Sequence, residues 1–273
     1  MSFEYAYVAC VGLIIGSFLN VCIHRIPRGE SVISPRSRCP QCSRPVRAIE
    51  NVPVLSYLLL GGKCRGCGQP IGWIYPLVEI LTGVGFVLLL YRFGLSTPFF
   101  VNAVLFSLLI ALAFIDLFER ILPNVMTLGG TVVGLLLAGL QSEVFLKGAG
   151  SVWGEGGIPS NYVNSLLGIL FGGGFLWAVA ALYLRIRRIE GMGFGDVKMM
   201  AMVGAFLGWQ FAWLTILFGS LVGAIVGGFY IYLSKQGRRY ELPFGTFLAF
   251  AGMAVVLVGP EALDWYLNRL GGS

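Results

Sequence analysis

Eight apolar runs, several of them longer than the roughly 18 residues that mark a membrane helix, restrict this chain to one kind of fold. In hydrocarbon, backbone N–H and C=O groups must be satisfied within the protein, so such runs fold as spanning helices. They cover about 5–23, 76–94, 98–117, 124–142, 162–184, 196–210, 211–233 and 245–263. Composition agrees: 57% of the 273 residues are hydrophobic and 12% are charged. A soluble domain carries about twice that charge fraction, and no polar faces interrupt the longest runs here. The expected fold is an all-α polytopic membrane protein of about eight transmembrane helices. The sixth run, Met199 to Trp209, is short for roughly 30 Å of hydrocarbon, so a partial span or a locally thinned bilayer is expected there. No basic segment precedes the apolar stretch within residues 1–23, which is therefore expected to be a retained span rather than a cleaved leader.

Basic residues orient the spans. The hydrophilic segment 24–75 holds Arg25, Arg28, Arg36, Arg38, Arg44, Arg47, Lys63 and Arg65. If it is cytoplasmic, span alternation also puts inside Arg120, Arg185, Arg187, Arg188, Lys198, Lys235, Arg238 and Arg239. That accounts for 16 of the 19 basic residues, leaving Arg92, Lys147 and Arg269 outside. Both termini are then outside. The net charge of +6 follows from this asymmetry and calls for no nucleic-acid partner, though anionic lipid headgroups suit the inner face.

Two regions emerge: residues 1–75, the first span with the soluble insertion, and residues 76–273, a helical bundle. Within the second, 143–161 is rich in Gly and Ser and reads as an outer loop. Gly172, Gly173, Gly174, Gly223, Gly227 and Gly228 fit close helix packing in lipid.

The insertion carries Cys39-Pro-Gln-Cys42 and, after 21 intervening residues, Cys64-Arg-Gly-Cys67. Two such knuckles suit four thiolates around one tetrahedral zinc, making a zinc-ribbon-like module. Ser43 and Gly68 follow them, small residues suited to tight turns. With four protein ligands the zinc would be structural, holding together a loop too small for a core of its own. Two disulfides or idle thiols are the alternatives, and a reducing cytoplasm opposes the first. Cys10 and Cys22, in the first span, read as packing residues, and His24 as an interfacial residue rather than a fifth ligand.

Asp116 and Asp196 are two of only three aspartates in the chain, and each abuts a long apolar run. A carboxylate at the edge of hydrocarbon is costly and usually functional. Two spans lie between them, an even number, so both return to the same side of the membrane. Snorkelling to the headgroups is the plain alternative for each. Gly191, Gly193 and Gly195 alternate ahead of Asp196, offering backbone freedom and room for an extended peptide. Lys198 adds positive charge close by.

Gly193-Phe194-Gly195-Asp196, followed by Val197-Lys198, resembles the GxGD motif of the type IV prepilin peptidases. Further elements match in order: Gly16-Ser17-Phe18-Leu19-Asn20-Val21 with His24-Arg25-Ile26-Pro27, the two cysteine knuckles, Tyr75-Pro76-Leu77-Val78-Glu79, and Asp116 with Leu122-Pro123-Asn124 behind it. The resemblance covers most of the chain. It implies that Asp116 and Asp196 form the catalytic dyad, with Gly193, Gly195 and Lys198 in the active-site loop. It also implies a bacterial inner-membrane enzyme that cuts the basic leader from prepilins and pseudopilins at the cytoplasmic face. Many members then methylate the new N-terminus with S-adenosylmethionine, and the tetracysteine form accompanies many of these.

Two close carboxyls cannot both ionise cheaply, so one keeps a proton while the other takes one from water. From the dipoles of their own helices, Asp116 at a C-terminus is expected to be the resting acid. For the methyl donor no G-x-G-x-x-G follows a strand, so no Rossmann site is expected. Asn20, Arg25 and Glu79 are the candidates, with helix termination and mutual ion pairing as their alternative roles. A proton-coupled transporter would also place carboxylates in the membrane, but near the midplane and usually with inverted repeats. A zinc-bearing scaffold would need only the knuckles.

Overall fold

The computed structural model describes residues 2–141, 160–188, 192–234 and 243–271. Most of the expected outer loop (143–159), Gly191, and the basic residues Lys147, Lys235, Arg238 and Arg239 lie outside them. The described helices are α1 (Ser2–Arg25), α2 (Leu55–Leu59), α3 (Ile74–Phe93), α4 (Thr97–Glu119), α5 (Asn124–Leu137), α6 (Ser160–Arg187), α7 (Phe194–Leu207), α8 (Trp209–Ser234) and α9 (Phe244–Gly271). Among the described residues only two isolated β-bridges occur, both in the cysteine module. A helix stands at each of the eight expected spans. Six of them, α1, α3, α4, α6, α8 and α9, are long and apolar enough to cross a bilayer, while α5 and α7 are shorter. The chain is a multi-pass, all-α membrane protein.

Two compact units divide it, Met1–Leu95 and Ser96–Ser273. α3 belongs with the first unit, because it packs along α1. That packing depends on glycine. A Cβ on Gly12 would stand 2.8 Å from the Gly83 Cα, and one on Gly16 would stand 2.7 Å from the Glu79 Cα. The two backbones approach where α1 carries no side chain, and at Gly12 and Gly83 neither helix does.

In the second unit the short α7 is the innermost helix. Met199, Met200, Met202 and Val203 are fully buried, and α4, α5, α6, α8 and α9 all contact it. Its shortness is therefore not met by a thinned bilayer along its own flank, since protein rather than lipid surrounds it. Gly204 of α7 and Gly168 of α6 touch backbone to backbone, and Gly172 and Gly173 of α6 also meet α7. Gly174 and Gly228 face open space instead, so the packing role expected of them is not theirs. At the far end of α7 the last carbonyls are satisfied by side chains: Ser165 Oγ donates to Ala205 O (2.7 Å) and Gln141 Nε2 to Phe206 O (3.0 Å).

Candidate active site

α4 ends where Arg120 turns into the left-handed region (φ 55°) and its N–H donates to the Asp116 carbonyl at 3.0 Å. Pro123 follows, with no N–H to continue a helix, and α5 starts after it. Asp116 is left in the last turn of α4, 6% exposed. α7 begins at Phe194 with Gly193 as N-cap, and the Asp196 N–H donates to Gly193 O at 3.1 Å. That leaves Asp196 in the first turn, 7% exposed.

The start of α9 brings the two acids into one site. A Cβ on Gly245 would stand 2.9 Å from Asp196 Oδ1, 3.0 Å from Asp116 Oδ2 and 3.0 Å from Leu122 Cδ1. The two carboxyl oxygens are thus no further apart than the first two of those distances taken together. Asp116 Oδ2 accepts a hydrogen bond from the Thr246 backbone N–H (2.7 Å) and lies 3.0 Å from the Thr246 hydroxyl. That hydroxyl is also 3.1 Å from the Ala113 carbonyl. Among the described residues no donor reaches the Asp196 carboxyl. The dipole expectation for Asp116 considered only its own helix, yet a third helix presents its N-terminal turn to it.

The motif glycines divide their work. Gly195 lies within α7, where a Cβ would stand 2.8 Å from Leu122 Cβ, so the space beside it is taken by Leu122 and not left for a peptide. Gly193 is extended (φ −68°, ψ 136°), and a Cβ there would meet only Asp196 Oδ2, at 3.7 Å. Room for an extended chain is therefore at Gly193. The direct contacts of Lys198 are with other residues: its Nζ donates to Asn124 Oδ1 at 2.8 Å and stands 4.8 Å over the Phe194 ring.

In the first unit the sulfurs of Cys39, Cys42, Cys64 and Cys67 all lie within 4.8 Å of one another. Cys39 Sγ and Cys67 Sγ are 3.8 Å apart, the edge of a tetrahedron with metal–sulfur bonds of about 2.3 Å. The knuckles are built alike. Cys39 N–H donates to Arg44 O and Ser43 N–H to Cys39 O; Cys64 N–H donates to Gln69 O and Gly68 N–H to Cys64 O. Ser43 and Gly68 take the left-handed conformation the turns require (φ 57° and 70°). Backbone N–H groups of Cys42 and Gln41 hold the Cys39 thiol down at about 6, and those of Cys67 and Gly66 also lower Cys64. Cys67 feels the Gln69 N–H too, but desolvation and the crowd of thiols push it up to about 11. The donor set suits zinc, with no position left over for water.

Beside the module, within the same unit, is a cavity of about 320 Å³ lined by Asn20, Arg25, Glu50, Tyr75 and Glu79 among others. Asn20 Nδ2 donates to Tyr75 O (3.0 Å), and Glu79 Oε2 accepts from the Val54 N–H (2.7 Å). Arg25 donates to Ser31 O and Pro35 O (2.8 and 2.7 Å), tying down the strand of chain that leaves α1. These bonds stand in place of the alternative, an ion pair of Arg25 with Glu79. Glu50 joins Arg44 at 2.9 Å and Arg65 at 3.8 Å; the Arg47 N–H, with those charges, keeps its carboxyl below the usual range. His24 stacks on Tyr75 with ring centroids 5.2 Å apart and stands outside the cysteine cluster. Cys22 is buried as expected, whereas Cys10 is exposed.

Gly245, Thr246 and the packing role of Leu122 escaped the sequence reading. Span parity could have found the first two, because the eighth span starts on the same side as the acids and Pro243-Phe244-Gly245-Thr246 announces a helix start there.

Residues 10–93 match the family model described as the bacterial peptidase A24 N-terminal domain, and residues 103–228 match that of the type IV leader peptidase family. A protein of Pseudomonas aeruginosa called prepilin leader peptidase/N-methyltransferase is 35% identical, over 99% of this chain and 97% of its own length. Proteins of the same description from Aeromonas hydrophila (36%, over 97% and 94%) and Burkholderia pseudomallei (35%, over 94% and 86%) are similarly close. No solved structure matches the chain.

Proposed function

This chain belongs to the type IV leader peptidase family, and on that premise we propose that it is an aspartyl endopeptidase that removes prepilin leaders and then methylates the new N-terminus. One observation carries the proteolytic reading: Asp116 Oδ2 and Asp196 Oδ1 converge on a single point beside Gly245. A pair that close retains one proton between them. The ionised member takes a proton from water, whose oxygen bonds to the scissile carbonyl carbon. The protonated member gives its proton to the carbonyl oxygen, and the resulting tetrahedral diol collapses with proton transfer to the leaving amine. Neither metal nor serine enters. The substrate must lie extended at the cut, since a helix hides its peptide bonds, and the open side of Gly193 offers it a place.

The site is read as cytoplasmic and the protein as residing in the inner membrane, both termini outside, because that orientation collects 16 of 19 basic residues on one face. Prepilins and pseudopilins, which carry basic leaders, are the substrates this polarity suits.

For methylation, the cavity beside the cysteine module has the volume of a small-ligand site. Glu79 suits a cationic donor, the Glu50 carboxylate being held by Arg44 and Arg65, and Asn20 adds a polar side chain from α1. S-adenosylmethionine bound there would supply an electrophilic methyl group to the freed amine. The protein would hold the donor, exclude bulk water and take up the amine's proton on a carboxylate. Zinc on the four cysteines would hold the cavity's outer wall in shape and take no part in the reaction.

The test is to incubate the detergent-purified protein with a model prepilin and follow leader loss, then add the methyl donor and weigh the product. Asp116→Ala and Asp196→Ala should each abolish cleavage. A transporter or scaffold would show no cleavage to lose.

A further inference from the structure

Thr246 is 6% exposed and stands in the first turn of α9, where its backbone N–H and its hydroxyl both reach one oxygen of Asp116. We propose that Thr246 is the positioning residue of the dyad: it fixes Asp116 as the base, through Oδ1, and so leaves the shared proton to Asp196. The inference rests on the proteolytic reading above.

The geometry gives the two oxygens of Asp116 different work. Oδ2 receives the N–H at 2.7 Å and the hydroxyl at 3.0 Å, so its lone pairs are engaged. Oδ1 is then the oxygen that takes the proton of water. The N-terminal turn of α9 adds its dipole to the same end of the carboxylate, favouring the anion. Asp196 has no such support among the described residues, and of two neighbouring carboxyls the less supported one carries the proton. Its Oδ1, which borders Gly245 together with Asp116 Oδ2, belongs to the acid that hydrogen-bonds the substrate carbonyl.

The hydroxyl has a second acceptor in reach, Ala113 O at 3.1 Å. A hydroxyl carries one proton, so it serves Asp116 or Ala113 at any moment. When Asp116 is an anion the hydroxyl donates to it. When Asp116 has taken water's proton, the hydroxyl can turn to Ala113 at little cost. Thr246 thereby follows the charge on Asp116 through the catalytic cycle, while its N–H keeps the carboxyl in place. A valine has the same shape and the same N–H but cannot follow.

The experiment compares the full-length wild type with Thr246→Val and Thr246→Ser in detergent, measuring kcat and KM for leader cleavage of one model prepilin. A hydrogen bond to a charged group predicts a kcat of Thr246→Val lower by roughly 10- to 100-fold, with KM within about twofold of wild type. Thr246→Ser, which restores the hydroxyl, should stay within about threefold. The melting temperature of each variant in the same detergent reports whether it folds; if the valine variant does not, Thr246→Ala takes its place with the same expected loss. Wild-type kcat in the valine or alanine variant overturns the proposal, as does a serine variant as impaired as they are, since the methyl and not the hydroxyl would then matter. If the wild type itself fails to cleave, or Asp116→Ala cleaves normally, the proteolytic reading falls, which is a different result.

Discussion

Leu122 Cβ stands where a side chain on Gly195 would begin, 2.8 Å from the Cβ position of that glycine. The leucine also reaches Gly245, with its Cδ1 3.0 Å from the Cβ position there. One side chain from the α4–α5 connection thus sets how closely α7 and α9 approach Asp116. Gly195→Ala and Gly245→Ala would each force a shift of the kind that costs about 1–3 kcal/mol in a packed core. Gly245→Ala should be the more damaging to cleavage, because it pushes on both carboxylates directly. The expected outcome is at least about a tenfold loss of leader cleavage for Gly245→Ala, with methylation of a pre-cleaved peptide retained. Steady-state assays of both steps check it.

Removing one acid should leave the fold intact or firmer. Asp196→Asn puts a neutral amide of the same shape where a buried carboxyl has no donor among the described residues, so it removes the cost of keeping a second acid beside Asp116 and breaks no bond. Its melting temperature in detergent is expected to equal or exceed that of wild type by a few degrees, for a change on the order of 1 kcal/mol, while cleavage vanishes. A melting temperature well below wild type would show that the carboxyl is instead held by a partner.

Metal loading should follow pH in a stated direction. Without metal, Cys39 sits at about 6 and is largely thiolate at pH 7, whereas Cys67 sits at about 11 and keeps its proton. Binding zinc at pH 7 must therefore release protons, and affinity rises as pH rises. Acidification through 6 protonates the metal-free Cys39 as well, so binding must displace one more proton and affinity falls further. One zinc per chain is expected at neutral pH, released by a chelator faster at pH 5.5 than at pH 8, the two assay values bracketing about 6. Metal analysis after dialysis at each pH decides it.

Losing that zinc should separate the two activities. Cys39 and Cys64 line the cavity that holds Asn20 and Glu79. The aspartates lie in the other unit. Cys39→Ser, or chelation, should abolish methylation and leave leader cleavage within about threefold, an effect of well under 1 kcal/mol. Equal loss of both activities would contradict it.

Within the cavity, Glu79→Gln should act on methylation alone. The amide still accepts the Val54 N–H but loses the charge that suits a cationic donor. A loss of about tenfold or more in methyl transfer is expected, seen as a raised KM for the donor. Arg25→Ala should act more weakly, since its guanidinium is engaged by Ser31 and Pro35 carbonyls.

Much of this was legible in the residues because it depends on periodicity and spacing. Apolar length marked the spans, and the C-x-x-C pair marked the sulfur cluster. Parity put Asp116 and Asp196 at one end. What could not be read depends on close approach between distant segments. Gly245 reads like any glycine before a span, and the key donor of Thr246 is a backbone N–H that every residue but proline owns. The place of α3 was not legible because hydropathy says nothing about which helix a span packs on; Gly12, Gly16 and Gly83 decided that. The partner of Lys198 was hidden for a similar reason. Sequence spacing relates it to Asp196, whereas its hydrogen bond goes to Asn124, 74 positions away along the chain.

The brevity of α7 has a physical corollary. Its 14 residues rise about 21 Å against hydrocarbon of about 30 Å, and neighbouring helices stand all round it. Ten of those residues are buried, so the helix is sheathed by its neighbours and need not match the hydrocarbon thickness by itself. With Asp196 in its opening turn, that sheath keeps the carboxyl out of the lipid, where a charge would be costly.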